Sequence, residues 1–149
     1  MEDVPLSSLL IVLILCVLFS GFFSATETAY STCNKIRLRQ MANRGNKRAE
    51  SVLEFCETYD KLISTILVGN NFVNILATTV ATVLFTALFL NNGPSISTAV
   101  MTIVILLFGE ITPKTIAKEY ADEFAMFAYP LLKFIFVILT PFTFIFNLW

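Results

Sequence analysis

Residues 6–34 hold a single charged side chain, Glu27, and this constrains the chain more than any other feature. About 20 apolar residues in a helix cross the roughly 30 Å hydrocarbon core of a bilayer, so a run of this length spans with tilt to spare. Two further apolar runs follow, residues 62–90 and 94–108. Only 14% of the 149 residues are charged and mean hydropathy is +0.77; a soluble domain is about 25% charged. The chain reads as an all-α membrane protein of one domain, residues 1–149.

Composition removes several chemistries. There is no histidine, hence no Ser-His triad and no imidazole for a transition metal. Cys16, Cys33 and Cys56 lack zinc or redox spacing and read as small buried hydrophobes. No enzyme activity is expected. The N-terminus, Met1-Glu2-Asp3, is acidic rather than basic, so the first run reads as a retained span and not a signal peptide.

Each run is interrupted by polar groups in one half. In the first, Ser20, Ser24 and Glu27 fall at i, i+4 and i+7, on one helical face. In the second, Asn70, Asn71 and Asn74 crowd into five positions, with Thr78 continuing the stripe. The third ends in Gly109-Glu110-Ile111-Thr112-Pro113-Lys114. Proline lacks an N–H and its ring collides with the carbonyl four residues earlier, so Pro113 is expected to free the Gly109 oxygen beside the Glu110 carboxylate. The bland alternatives are serines bonded back to their own helix carbonyls and asparagines acting as interhelical glue.

Residues 35–61 are of another kind. Seven bases (Lys35, Arg37, Arg39, Arg44, Lys47, Arg48, Lys61) outnumber four acids, and two short amphipathic helices joined at Gly45-Asn46 are expected over residues 35–58, lying on the membrane surface. The basic excess, with Lys114 and Lys118, marks the cytoplasmic side. No aromatic residues interleave with these bases, which argues against nucleic acid. The N-terminus is then outside, the turn Asn91-Asn92-Gly93-Pro94 is also outside, and spans of residues 6–34, 62–90 and 94–114 make three crossings. Residues 124–149 are apolar with Pro130 and Pro141, and could form a fourth span, an interfacial helix or a hairpin.

Helical rise places the polar groups at one depth. Measured from the inner ends of the spans, Glu27 lies about 10 Å in, Ser24 about 15 Å, Asn70 about 12 Å, Asn74 about 18 Å and Glu110 about 12 Å. Two acids in lipid need partners. No basic residue is expected at their depth, so a cation is the simplest neutraliser. All-oxygen donors favour Mg²⁺ or Ca²⁺ over zinc or copper; a compact, rigid site favours Mg²⁺, with Na⁺ left open.

Four ordered segments carry a resemblance: Ser20 to Ala29, the basic linker through Lys47-Arg48-Ala49, Gly69 to Asn74, and Gly109 to Thr115. With these, the chain resembles the transmembrane domain of the CNNM/CorC magnesium-transport family over nearly its whole length. The resemblance implies a homodimer in the plasma (inner) membrane, three spans per protomer above a cytosolic belt of juxtamembrane helices, and one dehydrated Mg²⁺ per protomer. It implies export of Mg²⁺, coupled to entry of Na⁺. Carried over by position, the metal ligands are Ser20, Ser24, Asn70, Asn74, Gly109 and Glu110, with Glu27, Asn71 and Pro113 as supporting or ion-path residues. Family members continue into cytosolic CBS domains that bind ATP; these 149 residues do not include them, so ATP regulation is not attributed to this chain. For the same reason an interfacial or hairpin form is preferred for residues 124–149, since a following cytosolic domain needs an even number of further crossings or none. The competing function is a Mg²⁺-sensing membrane adaptor that does not transport.

Overall fold

The structure is a computed structural model and describes residues 4–148; the acidic Glu2 and Asp3 and the terminal Trp149 lie outside the described residues. Among those described, every regular element is helical: α1 (Leu6–Thr32), α2 (Lys35–Asn43), α3 (Lys47–Glu57), α4 (Tyr59–Phe89), α5 (Gly93–Val104), a π-helical segment at Ile105–Ile111, α6 (Thr112–Glu119) and α7 (Ala121–Asn147). Three stretches are long and apolar enough to cross a membrane, Leu6–Thr32, Tyr59–Glu119 and Ala121–Phe142. The middle one has 61 residues, about 90 Å if straight, and it does not run straight.

The reversal occurs at Leu90, whose backbone takes φ 54° and ψ −124°, a conformation that carries a steric cost for any side chain. One tight turn, Leu90–Asn92, leads into α5 with Pro94 in its first turn. Gly93 is required by proximity, because a Cβ there would lie 2.4 Å from the Thr86 Cα. α5 therefore folds back against α4, and α6 packs on α1.

At the other end, α2 stops at a left-handed Gly45, φ 97°. The Gly45 N–H bonds the Ala42 carbonyl and the Asn46 N–H reaches back to Met41, the paired closure typical of a glycine-terminated helix. Asn46 then caps α3 by accepting from Arg48 N and Ala49 N. Asn34 caps α2 in the same way. Its own N–H donates to Asp122 Oδ1 at 2.8 Å, and Arg37 lies 3.6 Å from the same carboxylate. Tyr30 adds a hydrogen bond to the Ala125 carbonyl. The start of α7 is thus fastened to the junction of α1 and α2.

Of the two forms preferred for residues 124–149, interfacial or hairpin, the described residues show no hairpin. α7 is one helix through Pro130 and Pro141. Apolar helices tolerate proline where neighbours and local adjustments satisfy the freed carbonyls, so these prolines do not act as the breaks they suggest in sequence.

Two apolar clusters divide the interior. One gathers Phe23, Ala29, Tyr30, Leu38, Val52, Leu62, Ile66 and Leu132; the other gathers Leu13, Cys16, Ala77, Ala81, Leu84 and Met101. Rising numbers on α1 meet falling numbers on α4, so the two helices are antiparallel. Ser20 and Asn70 lie in the gap between the clusters. Much of the outer surface is also apolar, with Leu10, Ile14, Leu18, Phe127, Phe134 and Val137 exposed. Continuous apolar surface on this scale suits lipid, not water. The chain is a multi-pass membrane protein.

Candidate cation site

The polar layer is set by a close approach of α1 and α4. A Cβ on Gly69 would lie 2.7 Å from the Phe23 ring, so the ring rests directly on the α4 backbone. That contact brings the next residue, Asn70, level with Ser20. The Ser20 hydroxyl donates to Asn70 Oδ1 at 3.2 Å. Gly109 completes the approach from the third limb: a Cβ there would come within 2.9 Å of Ser20 Oγ. One hydroxyl therefore touches α4 and the π-helical segment together.

Most hydroxyls in these helices bond back to their own backbone. Thr26 donates to the Phe22 carbonyl, Ser31 to Glu27, Thr32 to Thr28 and Thr78 to Asn74, at 2.7 to 2.8 Å. Ser20 and Ser24 do not. Both have no exposed surface, and the Ser24 hydroxyl and the Asn74 Oδ1 are buried without a partner among the described residues. Such an orphan costs about 1–3 kcal/mol. Side chains on a helix lean toward its N-terminus, so on antiparallel helices Ser24 and Asn74 both lean toward the Ser20–Asn70 level. Self-bonded serines are thereby excluded at these two positions.

Glu110 follows Gly109 in the π-helical segment, half-buried, and among the described residues it has no ion-pair partner. Glu27 differs. Its carboxylate lies 3.8 Å from Lys114 Nζ, which overturns the expectation that neither acid would find a basic partner. The demand for a neutralising cation falls on Glu110 alone. Glu27 and Lys114 line a cavity of about 440 Å³ with Ser31, Thr115 and Lys118, one helical turn beyond Ser24. Asn71 is exposed on the far side of α4 and does not join Ser20 and Asn70.

The proline effect is shifted by one residue. The Thr112 N–H bonds Leu107 O, five residues back. Phe108 O thus loses Thr112 as a donor, and Pro113 has no N–H to replace it. Gly109 O loses only Pro113 and can still reach the Lys114 N–H. The carbonyl stripped of both helical donors is Phe108, not Gly109, and it faces α1 at Gly21, where a Cβ would lie 3.1 Å from it and 3.1 Å from the Pro113 ring. The clash falls at Gly109 only in an α-helical register, and the π-helical segment Ile105–Ile111 changes that register.

Among the described residues no three His, Cys, Asp or Glu side chains group as metal ligands. Any cation held here would rest on one carboxylate and several neutral oxygens. Sequence reasoning did not anticipate Lys114 as the partner of Glu27, nor Ser97 on α5, a second buried hydroxyl without a partner among the described residues. Nothing in their spacing marks them.

These features can be set against known proteins. The model of the cyclin M transmembrane N-terminal domain (CNNM) matches residues 10–149. The chain belongs to the CNNM transmembrane-domain family. Among relatives of this CNNM domain, a UPF0053 protein of Haemophilus influenzae is 39% identical over 148 residues, 99% of this chain and 35% of its own length. The UPF0053 inner membrane protein YfjD of Escherichia coli is 40% identical over 128 residues, 86% of this chain and 30% of its own. The polyamine export protein of Escherichia coli is 28% identical over 155 residues, 95% of this chain and 34% of its own. The chain spans about a third of the length of these three relatives.

Proposed function

We propose that this chain is the membrane domain of a Mg²⁺ transporter, binding the stripped ion between α1, α4 and the π-helical segment. The observation that carries the reading is the pair of orphaned acceptors, Ser24 Oγ and Asn74 Oδ1, in the layer of the Ser20–Asn70 hydrogen bond and beside an unpaired Glu110. Ser20, Ser24, Asn70, Asn74, the Gly109 carbonyl and Glu110 would supply up to six oxygens, the number a near-octahedral Mg²⁺ requires. The ion is cargo, and no covalent step acts on it.

In this reading the bases of α2 and α3 face the cytoplasm, the N-terminus is outside the inner membrane, and two protomers pair in the bilayer. Transport is export, driven by Na⁺ entry, with the layer opened to each side in turn. Glu27 lies on the inner path, and ATP acts only through domains outside these residues. One relative is named for polyamine export, but a polyamine is an extended cation, whereas Ser20 and Ser24 have no exposed surface. That enclosure favours a single ion.

The test is Glu110→Gln, which keeps shape and removes the carboxylate that adjoins Gly109. Removing even an indirect support of a metal costs 10–100-fold in affinity, so calorimetric Mg²⁺ affinity should fall by roughly 100-fold or more, with oligomeric state unchanged. Unaltered affinity would sink the site. Proteoliposome flux separates transporter from sensor: binding without gradient-dependent Mg²⁺ movement would favour the adaptor. Competition of spermidine with Mg²⁺ for flux would favour the polyamine reading.

A further inference from the structure

The cysteines, dismissed in sequence as unrelated, include a pair. Cys33 closes α1 and Cys56 lies on the buried face of α3 with Ala49 and Val52. Although 23 positions apart, their Sγ atoms are 3.9 Å apart, within thiol hydrogen-bond range. A disulfide needs about 2.05 Å between sulfurs, so the pair is reduced and one small closure from a bond.

The surroundings favour reaction at one sulfur. Cys56 forms part of the wall of an open cavity of about 650 Å³, lined also by Lys35 and Arg39 and by Glu50, Glu54 and Glu57. The hydrogen bond shared with Cys33 and the nearby Lys35 ammonium outweigh burial and bring the Cys56 thiol down to about 7. A thiolate is the nucleophilic form, and a neighbouring ammonium favours it; the cavity wall gives peroxide a way to this sulfur. Cys16 offers a contrast: it lies in the other apolar cluster, away from this cavity and from both other thiols.

We infer that Cys33 and Cys56 are a hydroperoxide-sensitive dithiol, with Cys56 the attacking sulfur and Cys33 the resolving one. The Cys56 thiolate attacks one peroxide oxygen. An S–O bond forms, the O–O bond breaks and hydroxide leaves, so sulfur is oxidised by two electrons to a sulfenic acid and the peroxide is reduced. Cys33 sulfur then attacks the Cys56 sulfur. The S–S bond forms, the S–O bond breaks, and water leaves with the Cys33 proton. In sum, two thiols and one hydrogen peroxide give one disulfide and two waters. In a reducing compartment such a bond is transient, as redox-sensing disulfides are. While present it ties the end of the helix carrying Ser20 and Ser24 to α3. The inference stands independently of what the cation site carries.

The test uses the whole chain, purified reduced in detergent, treated with a few equivalents of hydrogen peroxide, blocked with N-ethylmaleimide and mapped without reductant. Weighed before blocking, wild type should lose about 2 Da, and after it should yield one peptide pair joining Cys33 to Cys56. Cys33→Ser should stall at a Cys56 sulfenic acid, roughly 16 Da heavier and trapped by dimedone. Cys56→Ser should leave both remaining thiols free. Iodoacetamide labelling of Cys56 should accelerate as pH rises through about 7. An unchanged wild-type mass, oxidation of Cys16 as fast as of the pair, or links only between chains would overturn the inference. The wild-type map decides the matter even if a serine variant folds poorly.

Discussion

The Lys114 ammonium sits 3.8 Å from the Glu27 carboxylate, joining α6 to α1 one helical turn from Ser24. Both side chains are partly exposed, and pairs of this kind contribute about 0–1 kcal/mol. The pair therefore does little to hold the fold. It does place a built-in cation where an arriving ion would otherwise meet an acid. Lys114→Met should leave the melting temperature nearly unchanged and lower the half-saturating Mg²⁺ for proteoliposome flux severalfold, an effect that shrinks at high ionic strength. An unchanged half-saturation would place Glu27 off the ion path.

Pro113 poses a different question, because it leaves the Phe108 carbonyl without its helical donors. Alanine there restores an N–H that can bond this carbonyl, a gain of about 1 kcal/mol. Pro113→Ala should therefore melt at the same temperature or slightly higher. Drawing the segment toward a tighter register moves Gly109 relative to Ser20, so calorimetric Mg²⁺ affinity should fall while stability does not. If affinity is unaffected, the proline is only a helix stop.

Gly69 and Phe23 offer a test of how the layer is positioned. A methyl at Gly69 would overlap the Phe23 ring, and overpacking of this kind costs about 1–3 kcal/mol. Gly69→Ala should lower the thermal midpoint and weaken Mg²⁺ binding, since Asn70 is carried away from Ser20. Adding Phe23→Leu should recover part of the loss, a non-additive result expected only of residues in contact. Strict additivity in the double variant would show that the ring does not set the helix spacing.

How much of this was legible in the sequence depends on the kind of relationship. Ser20 and Ser24, or Asn70 and Asn74, repeat at helical spacing within one run, and rise per residue placed them at a common depth. That layer is where the structure leaves Ser24 and Asn74 without partners. Pairings between distant segments were not legible. Lys114 was visible only as a marker of sidedness, because its approach to Glu27 follows from α6 packing on α1. Cys33 and Cys56 matched no motif, because α3 folds back to bring them together. Pro130 and Pro141 left the form of residues 124–149 open, because a proline in apolar surroundings can either break a helix or be accommodated in it.

The π-helical segment has a consequence of phase. Each residue turns an α-helix by about 100°, so a widened turn offsets the faces that precede and follow it. Met101, before it, packs in the cluster with α4 residues Ala77 and Ala81; Ala117, after it, packs in the cluster with α1 residues Ala29 and Tyr30. One continuous limb thus serves two neighbours in different directions, and Gly109 and Glu110 stand where the change is made. Deleting a single residue from Ile105–Ile111 would realign the limb and force it to give up one neighbour or the other.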